Sequence, residues 1–269
     1  MDDSLKRDKP EVRLRAFRAI DEPETCELFI EGHTHVLTSI GVTKVTSSKN
    51  EWTKNPAAFV MVVESLDGKK VYGGARVHVA GGSEKLPIEQ ATGAIDPKIY
   101  KLIYDYAQEG AGELCGLWNS REIAGHGIGC IFLIRTAVAI SYQIGIQSLF
   151  ALCAPYTIPP GEAVGMEFET SVGNNGTFYY PKLDLIATIM VLKDVPTLKK
   201  AYLEDKNAIF KIRENLNITR SEILRKKEIT IRYEIKIPNL DQWDLKGAIA
   251  NTKLPLLSEN GTEEDPEFF

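Results

Sequence analysis

The chain has 269 residues, of which 32 are Lys or Arg, 37 are Asp or Glu and 43% are apolar, so its formal net charge is −5. This length fits one large domain or one ordinary domain with an appendage, and the acidic balance argues against nucleic-acid or anionic-lipid partners, which require concentrated positive charge. Residues 1–11 lack the apolar segment of a secretory signal, and no run of about 20 uncharged apolar residues occurs, so we expect a cytoplasmic protein without a membrane span.

The first half of the chain alternates between strand and helix patterns. Four stretches have strand composition: 12–20, 57–66, 70–80 and 111–118. Two stretches carry helix-start signals or amphipathic periodicity: 21–40, and 87–108 with a break near Gly93. The turn signal Asp67-Gly68 joins the second and third strands as a hairpin. The fourth strand carries one carboxylate, Glu113.

The second half begins with a glycine cluster at 124–129, which precedes an apolar helix over 130–144. That helix is apolar on most of its faces, so we expect it to be buried against a sheet. A further helix is predicted at 159–169, and three further strands are predicted: 148–154, 177–180 and 183–192. The whole order predicts a mixed α/β layered fold, in which helices cover a twisted mixed sheet.

The chain changes character after Asp194. Residues 197–216 predict a charged amphipathic helix, Ser221 is a candidate cap for a second short helix, and 227–237 alternate as a strand does. That strand either extends the same sheet or pairs with another subunit. We therefore divide the chain into three parts, a main domain over 11–194, a helix/strand extension over 195–257 and an acidic disordered tail over 258–269. A homodimer formed through the extension is a hypothesis.

The residues that could bind metal are dispersed. The four cysteines form no C-x-x-C pair and are expected to be buried reduced thiols. His33 and His35 fall in a helical stretch, where residues two apart do not share a face, and no acidic cluster suggests a divalent cation. We therefore expect a protein without a metal.

The glycine cluster is the most informative motif. Glycines between a strand and a helix let the backbone turn tightly and direct several N–H groups at one point near the positive end of the helix dipole, where phosphate binds. The spacing Gly125-x-Gly127-x-Gly129 fits neither the NTPase loop, which needs Lys followed by Ser or Thr, nor the dinucleotide G-x-G-x-x-G.

The segment resembles the acyl-CoA binding signature of the GNAT-fold N-acyltransferases, Arg/Gln-Gly-x-Gly-Ile-Gly, and the element order over 12–194 is similar as well. The resemblance implies a donor that is acetyl-CoA, a longer acyl-CoA or the phosphopantetheine of an acyl-carrier protein. Its phosphates would be bound by the backbone of six residues: Ala124, Gly125, His126, Gly127, Ile128 and Gly129. Ala124 stands where the signature has Arg or Gln, and Arg121 or His126 are the candidate replacements.

The same resemblance assigns the pantetheine arm to strand 111–118, including Leu117, and makes Glu113 the candidate general base for the attacking amine. The family's usual general-acid tyrosine is absent, because the matching segment reads Ala163-Val164-Gly165. The candidate replacements are three tyrosines: Tyr156, Tyr179 and Tyr180.

A partial likeness to acyl-homoserine-lactone synthases and long-chain N-acyl amino acid synthases lies in Gly73-Gly74-Ala75-Arg76-Val77. Arg76 then either orients an anionic acceptor or forms an interior ion pair with Glu113. Gly116 occupies the position of a second arginine of that group, so lactone synthesis is not expected.

These features lead us to expect an enzyme, an acyltransferase that moves an acyl group from a CoA or carrier-protein thioester to the primary amine of a small molecule. The alternative is a non-catalytic acyl-CoA-binding or regulatory protein on the same fold. A third reading is an interaction module in which the glycine cluster is purely structural.

Overall fold

A computed structural model describes residues 10–42, 50–123, 126–182 and 184–254. The strands of this part are β1 Glu11–Arg18, β2 Ala58–Glu64, β3 Val71–Val79, β4 Ala111–Asn119, β5 Ser148–Cys153, β6 Glu167–Phe168, β7 Thr177–Tyr179, β8 Ile186–Leu192, β9 Asn217–Leu224 and β10 Lys227–Glu234. Its α-helices are α1 Pro23–Ser39, α2 Pro87–Thr92, α3 Lys98–Ala107, α4 Cys130–Gln143, α5 Ile158–Ala163, α6 Leu203–Glu214 and α7 Leu245–Asn251.

All ten described strands belong to one sheet, in the order β6-β8-β5-β4-β3-β2-β1-β10-β9, with β7 also paired to β8. Two neighbouring pairs are parallel, β4 with β5 and β1 with β10, and the other pairs are antiparallel. The sheet is therefore mixed, as predicted from the order of elements.

Helices cover both faces of the sheet. Alternate residues of β2 point to opposite faces, so Met61 joins the core against α4, whereas Val60 and Val62 join the core against α1. A third cluster lies under α2 and α3, on the α1 side of the sheet, and contains Phe150 of β5. Burial on both faces explains why the central strands read as nearly continuous apolar runs. In the described part of the chain, no helix is long and apolar enough to cross a membrane.

Three of the predicted helices differ from the structure, and the one expected over 197–216 begins only at Leu203. The helix expected over 159–169 ends at Ala163, and Gly165, with φ of +96°, turns the chain into the short strand β6. The second C-terminal helix, with Ser221 as its cap, is wrong. Ser221 lies in β9 and pairs with Thr230 of β10 along an eight-residue antiparallel ladder. Long-range pairing here overrides the local capping tendency of serine.

The C-terminal segment completes the sheet that the earlier residues begin. β10 lies parallel to β1, so residues 227–234 extend the same sheet, which was one of the two alternatives. Helix α6 packs on α4, where Arg135 Nε donates to Asp205 Oδ1 at 2.8 Å. Ile209 and Ile231 of this segment share one core with Leu14. The predicted acidic tail over 258–269 lies outside the described residues.

Candidate functional site

A cavity of about 560 Å³ opens where β4 and β5 separate. The two strands pair only between 111–113 and 148–150, and beyond that point each continues without the other. The side chains around the gap are mostly apolar and come from β4, β5, α1, α5 and the β7–β8 connection. A mostly apolar pocket with a few polar groups is the usual form of a small-molecule site.

Glu113 lies on the cavity wall at the last residue that β4 pairs with β5. Its side chain is buried, and the backbone N–H of Ile88, in α2, donates to its Oε2 at 2.7 Å. Burial raises the pKa of Glu113 to about 8, and the nearby Glu89 carboxylate acts in the same direction, whereas the Ile88 N–H and Arg76 act against it. This carboxyl titrates in the range in which a general base works best.

The other titratable groups on the cavity wall are suited to different roles. Burial, reinforced by Arg76, lowers the pKa of His33 to about 4, so its imidazole is neutral and a weak base at pH 7. Burial raises the pKa of the Cys115 thiol to about 12 and that of Cys153 to about 11. Neutral thiols are poor nucleophiles, so neither cysteine is suited to form a covalent intermediate.

The outer part of β4 contains a bulge beside the cavity. Gly74 pairs with Trp118 and Arg76 with Cys115, so two residues of β4, Gly116 and Leu117, stand opposite one residue of β3. Gly116 has φ of +58°, and both bulge residues line the cavity. A bulge leaves a strand residue without a ladder partner, which makes backbone polar groups available to a ligand. Leu117 therefore lies on the cavity wall, and its role toward the donor's arm stays a prediction.

Arg76 lies in the interior and is not among the cavity-lining residues. Its guanidinium stacks on the Trp52 ring, with Cζ 4.1 Å from the ring centroid, and lies close enough to the Cys115 thiol to act on its pKa. A Cβ atom on Gly116 would lie 3.0 Å from the Arg76 Nε, so the missing side chain at position 116 gives the guanidinium its space. Arg76 acts on Glu113 through charge, and its role toward an acceptor stays a prediction.

The glycine cluster follows β4, and its residues 126–129 are described, whereas Ala124 and Gly125 lie outside the described residues. Ile128 is buried in the core and anchors the segment. The His126 N–H donates to Ile123 O at 3.1 Å, so that amide is engaged within the chain. Gly129 precedes α4 and offers no side-chain cap, and the Phe132 N–H in the first turn donates to Gly129 O at 3.2 Å. The start of a helix is in general a favourable place for an anion.

Of the three candidate tyrosines, Tyr156 and Tyr180 line the cavity, whereas Tyr179 does not. Tyr156 lies mostly exposed at the rim. His33 also lines the cavity, a position that the sequence does not indicate, because a histidine on a helix outside any motif gives no signal until α1 is packed over the cavity. Among the described residues, no group of three His, Cys, Asp or Glu side chains could hold a metal ion.

No protein-family model matches the chain, and no curated protein matches it significantly in sequence. Among solved structures it is similar to FeeM, an N-acyl amino acid synthase from uncultured soil microbes, at 13% identity and a TM-score of 0.54 over 72% of this chain and 96% of that one. The chain has the GNAT fold that the glycine cluster and the element order predicted.

Two further similar structures have lower TM-scores. One is the CoA-dependent acyl-homoserine lactone synthase BjaI, with SAM and isopentyl-CoA, at 10% identity and a TM-score of 0.46 over 80% of this chain and 95% of that one. The other is a mosquito arylalkylamine N-acetyltransferase-like protein, at 14% identity and a TM-score of 0.45 over 67% of this chain and 99% of that one.

Proposed function

We propose that the protein is an enzyme that transfers a medium or long acyl group from a CoA thioester to a primary amine. The observation that carries this proposal is the apolar cavity between the diverging strands β4 and β5, with the Glu113 carboxyl on its wall. The cavity has a volume of about 560 Å³ and is lined mostly by apolar side chains. Beside a pantetheine arm it therefore offers an apolar environment that suits an acyl chain longer than acetyl.

The proposed reaction needs a base, a positioned thioester and donors that stabilise the developing oxyanion. The amine nitrogen attacks the thioester carbonyl carbon and forms the C–N bond, and its proton passes to the Glu113 carboxylate, directly or through water. The C–S bond then breaks, and the thiolate leaves and takes up a proton. Backbone polar groups of the Gly116–Leu117 bulge lie on the same wall and are the candidates to polarise the carbonyl.

The competing function is non-catalytic binding of an acyl-CoA. The observation that favours it is the segment Ala163-Val164-Gly165, which carries no hydroxyl where this fold commonly provides a general acid. Tyr156 and Tyr180 line the cavity. If the protein is an enzyme, they are the candidates to replace the missing general acid. A thiol is much more acidic than an alcohol or an amine, so a thiolate leaves with less assistance from a general acid, and the missing tyrosine does not by itself prevent catalysis.

Donor binding tests the proposal. Calorimetric titration with acetyl-, octanoyl- and lauroyl-CoA is expected to show affinity rising by about fourfold for each added methylene until the cavity is full, because burial of one CH₂ is worth about 0.8 kcal/mol. Release of free thiol on addition of an amine would establish turnover. Equal affinity for the three donors would contradict the acyl-chain assignment, and binding without thiol release across a panel of amines would favour the binding-protein function.

The acceptor role of Arg76 has its own test, which compares an amino-acid acceptor with the amine formed by its decarboxylation. We expect Arg76→Met to change KM for the two acceptors by the same factor, because the guanidinium is not on the cavity wall. The midpoint of the pH profile is expected to move up, since the charge of Arg76 lowers the pKa of Glu113. A selective rise of tenfold or more in KM for the amino acid would show that Arg76 contacts the acceptor carboxylate.

A further inference from the structure

The tip of the β9–β10 hairpin packs against Gly127 and Gly129 of the glycine cluster, which we call the glycine segment. A Cβ atom added to Gly127 would lie 3.0 Å from the Lys227 Cβ, and one added to Gly129 would lie 2.2 Å from the Leu224 Cδ2. The two glycines therefore make room for the hairpin. Substituting either of them would displace the hairpin, so a variant such as Gly127→Glu does not report on donor binding alone.

This hairpin brings three consecutive cations to the segment, Arg225, Lys226 and Lys227, which we call the basic turn. All three side chains are exposed, and within the described part of the chain none of them forms a hydrogen bond or an ion pair. The acidic neighbour Glu228 is engaged by the Ser221 hydroxyl. Arg225 also acts on Cys130, the first residue of α4. Burial raises the pKa of the Cys130 thiol, and the positive charge of Arg225 lowers it.

The glycine segment supplies no fixed positive charge of its own. Residues 124–129 contain neither Arg nor Lys, and the nearest preceding basic residue is Arg121. Backbone N–H groups and a helix dipole contribute only partial charges. A donor that carries several phosphate charges needs further cations, and the basic turn is the group that the fold places beside the segment.

The conformation of the turn is unusual for its residues. Arg225 and Lys226 have φ of +49° and +65°, the two positive values of a two-residue turn in which Asn-Gly is strongly preferred. Positions of this kind cost non-glycine residues free energy. The chain therefore presents two long cationic side chains where a small turn pair would be more stable.

We propose that the basic turn forms a wall of the donor site and binds the phosphate groups of coenzyme A. This inference rests on the proposed function, since it assumes that the glycine segment faces the donor. It assigns the C-terminal hairpin a direct part in binding, and it makes electrostatic attraction to the donor sensitive to salt.

The double variant Arg225→Asn/Lys226→Gly tests the inference, because it removes two charges while installing the preferred turn pair, so the fold is expected to be retained or stabilised. Lys227 stays, since its Cβ packs on Gly127. The charge-matched control is Lys98→Gln/Lys246→Gln. Lys98 begins α3 on the opposite face of the sheet, and Lys246 lies in α7, whose Leu245 packs beside Gly145 at the other end of α4.

Calorimetric titration of each protein with lauroyl-CoA, lauroyl-3′-dephospho-CoA and lauroyl-pantetheine gives the readout. The turn variant is expected to bind lauroyl-CoA about tenfold more weakly than wild type, with a shallower salt dependence, and to bind the phosphate-free pantetheine thioester unchanged. If the turn variant and wild type bind lauroyl-3′-dephospho-CoA with equal affinity, the basic turn contacts the 3′-phosphate. If the variant binds this donor more weakly as well, the basic turn contacts the pyrophosphate.

Unchanged affinity of the turn variant for lauroyl-CoA, or an equal loss for the pantetheine thioester, would overturn the inference while leaving the proposed function intact. The same loss in the Lys98/Lys246 control would also overturn it, because the effect would then follow net charge alone. If wild-type protein binds none of the three thioesters, the proposed function fails and this inference fails with it.

Discussion

Glu113→Gln is expected to lower kcat by about 10²- to 10⁴-fold, the usual contribution of a positioned general base, and to leave donor affinity nearly unchanged. The amide keeps the size of the carboxyl and an oxygen that can accept from the Ile88 N–H, but it takes up no proton from the amine. Turnover measured by thiol release, together with donor titration of the same variant, checks both parts. Full activity in this variant would remove Glu113 as the base.

The pH profile connects this loss to the carboxyl itself. Because burial raises the pKa of Glu113 to about 8, wild-type activity should rise with pH and level off above about pH 8. The acceptor amine titrates in the same region, so the decisive comparison is between variants. Glu89→Gln removes a neighbouring carboxylate that raises the pKa of Glu113, and it should keep activity while moving the midpoint to lower pH.

The stability of Glu113→Gln should change in the opposite direction to its activity. The folded-state pKa of Glu113 is raised above the ordinary value of 4.5, so its stabilising contribution is complete below about pH 4.5 and is lost as the pH rises through about 8. The amide stays neutral throughout. We therefore expect the variant to be more stable than wild type at pH 8 to 9, by on the order of 5 kcal/mol, with the difference falling below about 1 kcal/mol near pH 5.

Denaturant unfolding at pH 5 and pH 9 measures that difference. A variant that is less stable at both pH values would show that Gln at position 113 disrupts the packing around α2. The low turnover could not then be assigned to the missing base, and the shift of the Glu89→Gln pH profile would decide the role of Glu113.

Filling the cavity is expected to separate long donors from short ones. Ala151 lies on β5 and lines the cavity, so Ala151→Leu and Ala151→Phe should progressively exclude the end of a long acyl chain. Exclusion of about four methylenes at about 0.8 kcal/mol each would weaken lauroyl-CoA by about 10²-fold. Acetyl-CoA affinity should stay within about threefold, and its titration serves as the control for folding in each variant.

The acyl chain length that binds most tightly should also decrease from wild type to Ala151→Leu and again to Ala151→Phe. Parallel losses of acetyl-CoA and lauroyl-CoA affinity would mean that the acyl chain lies elsewhere, or that overpacking, which typically costs about 1–3 kcal/mol, has closed the whole site. Unfolding of each variant distinguishes these two outcomes, since only the second lowers stability.

The sequence alone determined most of the main domain. The strands of 12–118 and the helix over 130–144 were predicted to within a few residues. Burial on one or both faces of an element produces a periodic pattern of apolar residues, which can be recognised in the local sequence. The strand, glycine segment and helix over 111–144 also identified the fold. The sequence placed Glu113 and Leu117 on the strand that lines the cavity, and both residues are on its wall.

Only the tertiary structure decided what depends on contacts between distant segments. The cavity exists because β4 and β5 separate after three paired residues, and no local pattern records where two strands part. The raised pKa of Glu113 comes from burial beneath α2, and Arg76 lies in the interior because Trp52 and Gly116 make room for its guanidinium. Residues 217–224 became a strand through pairing with β10, and that long-range pairing placed Arg225 and Lys226 beside the glycine segment.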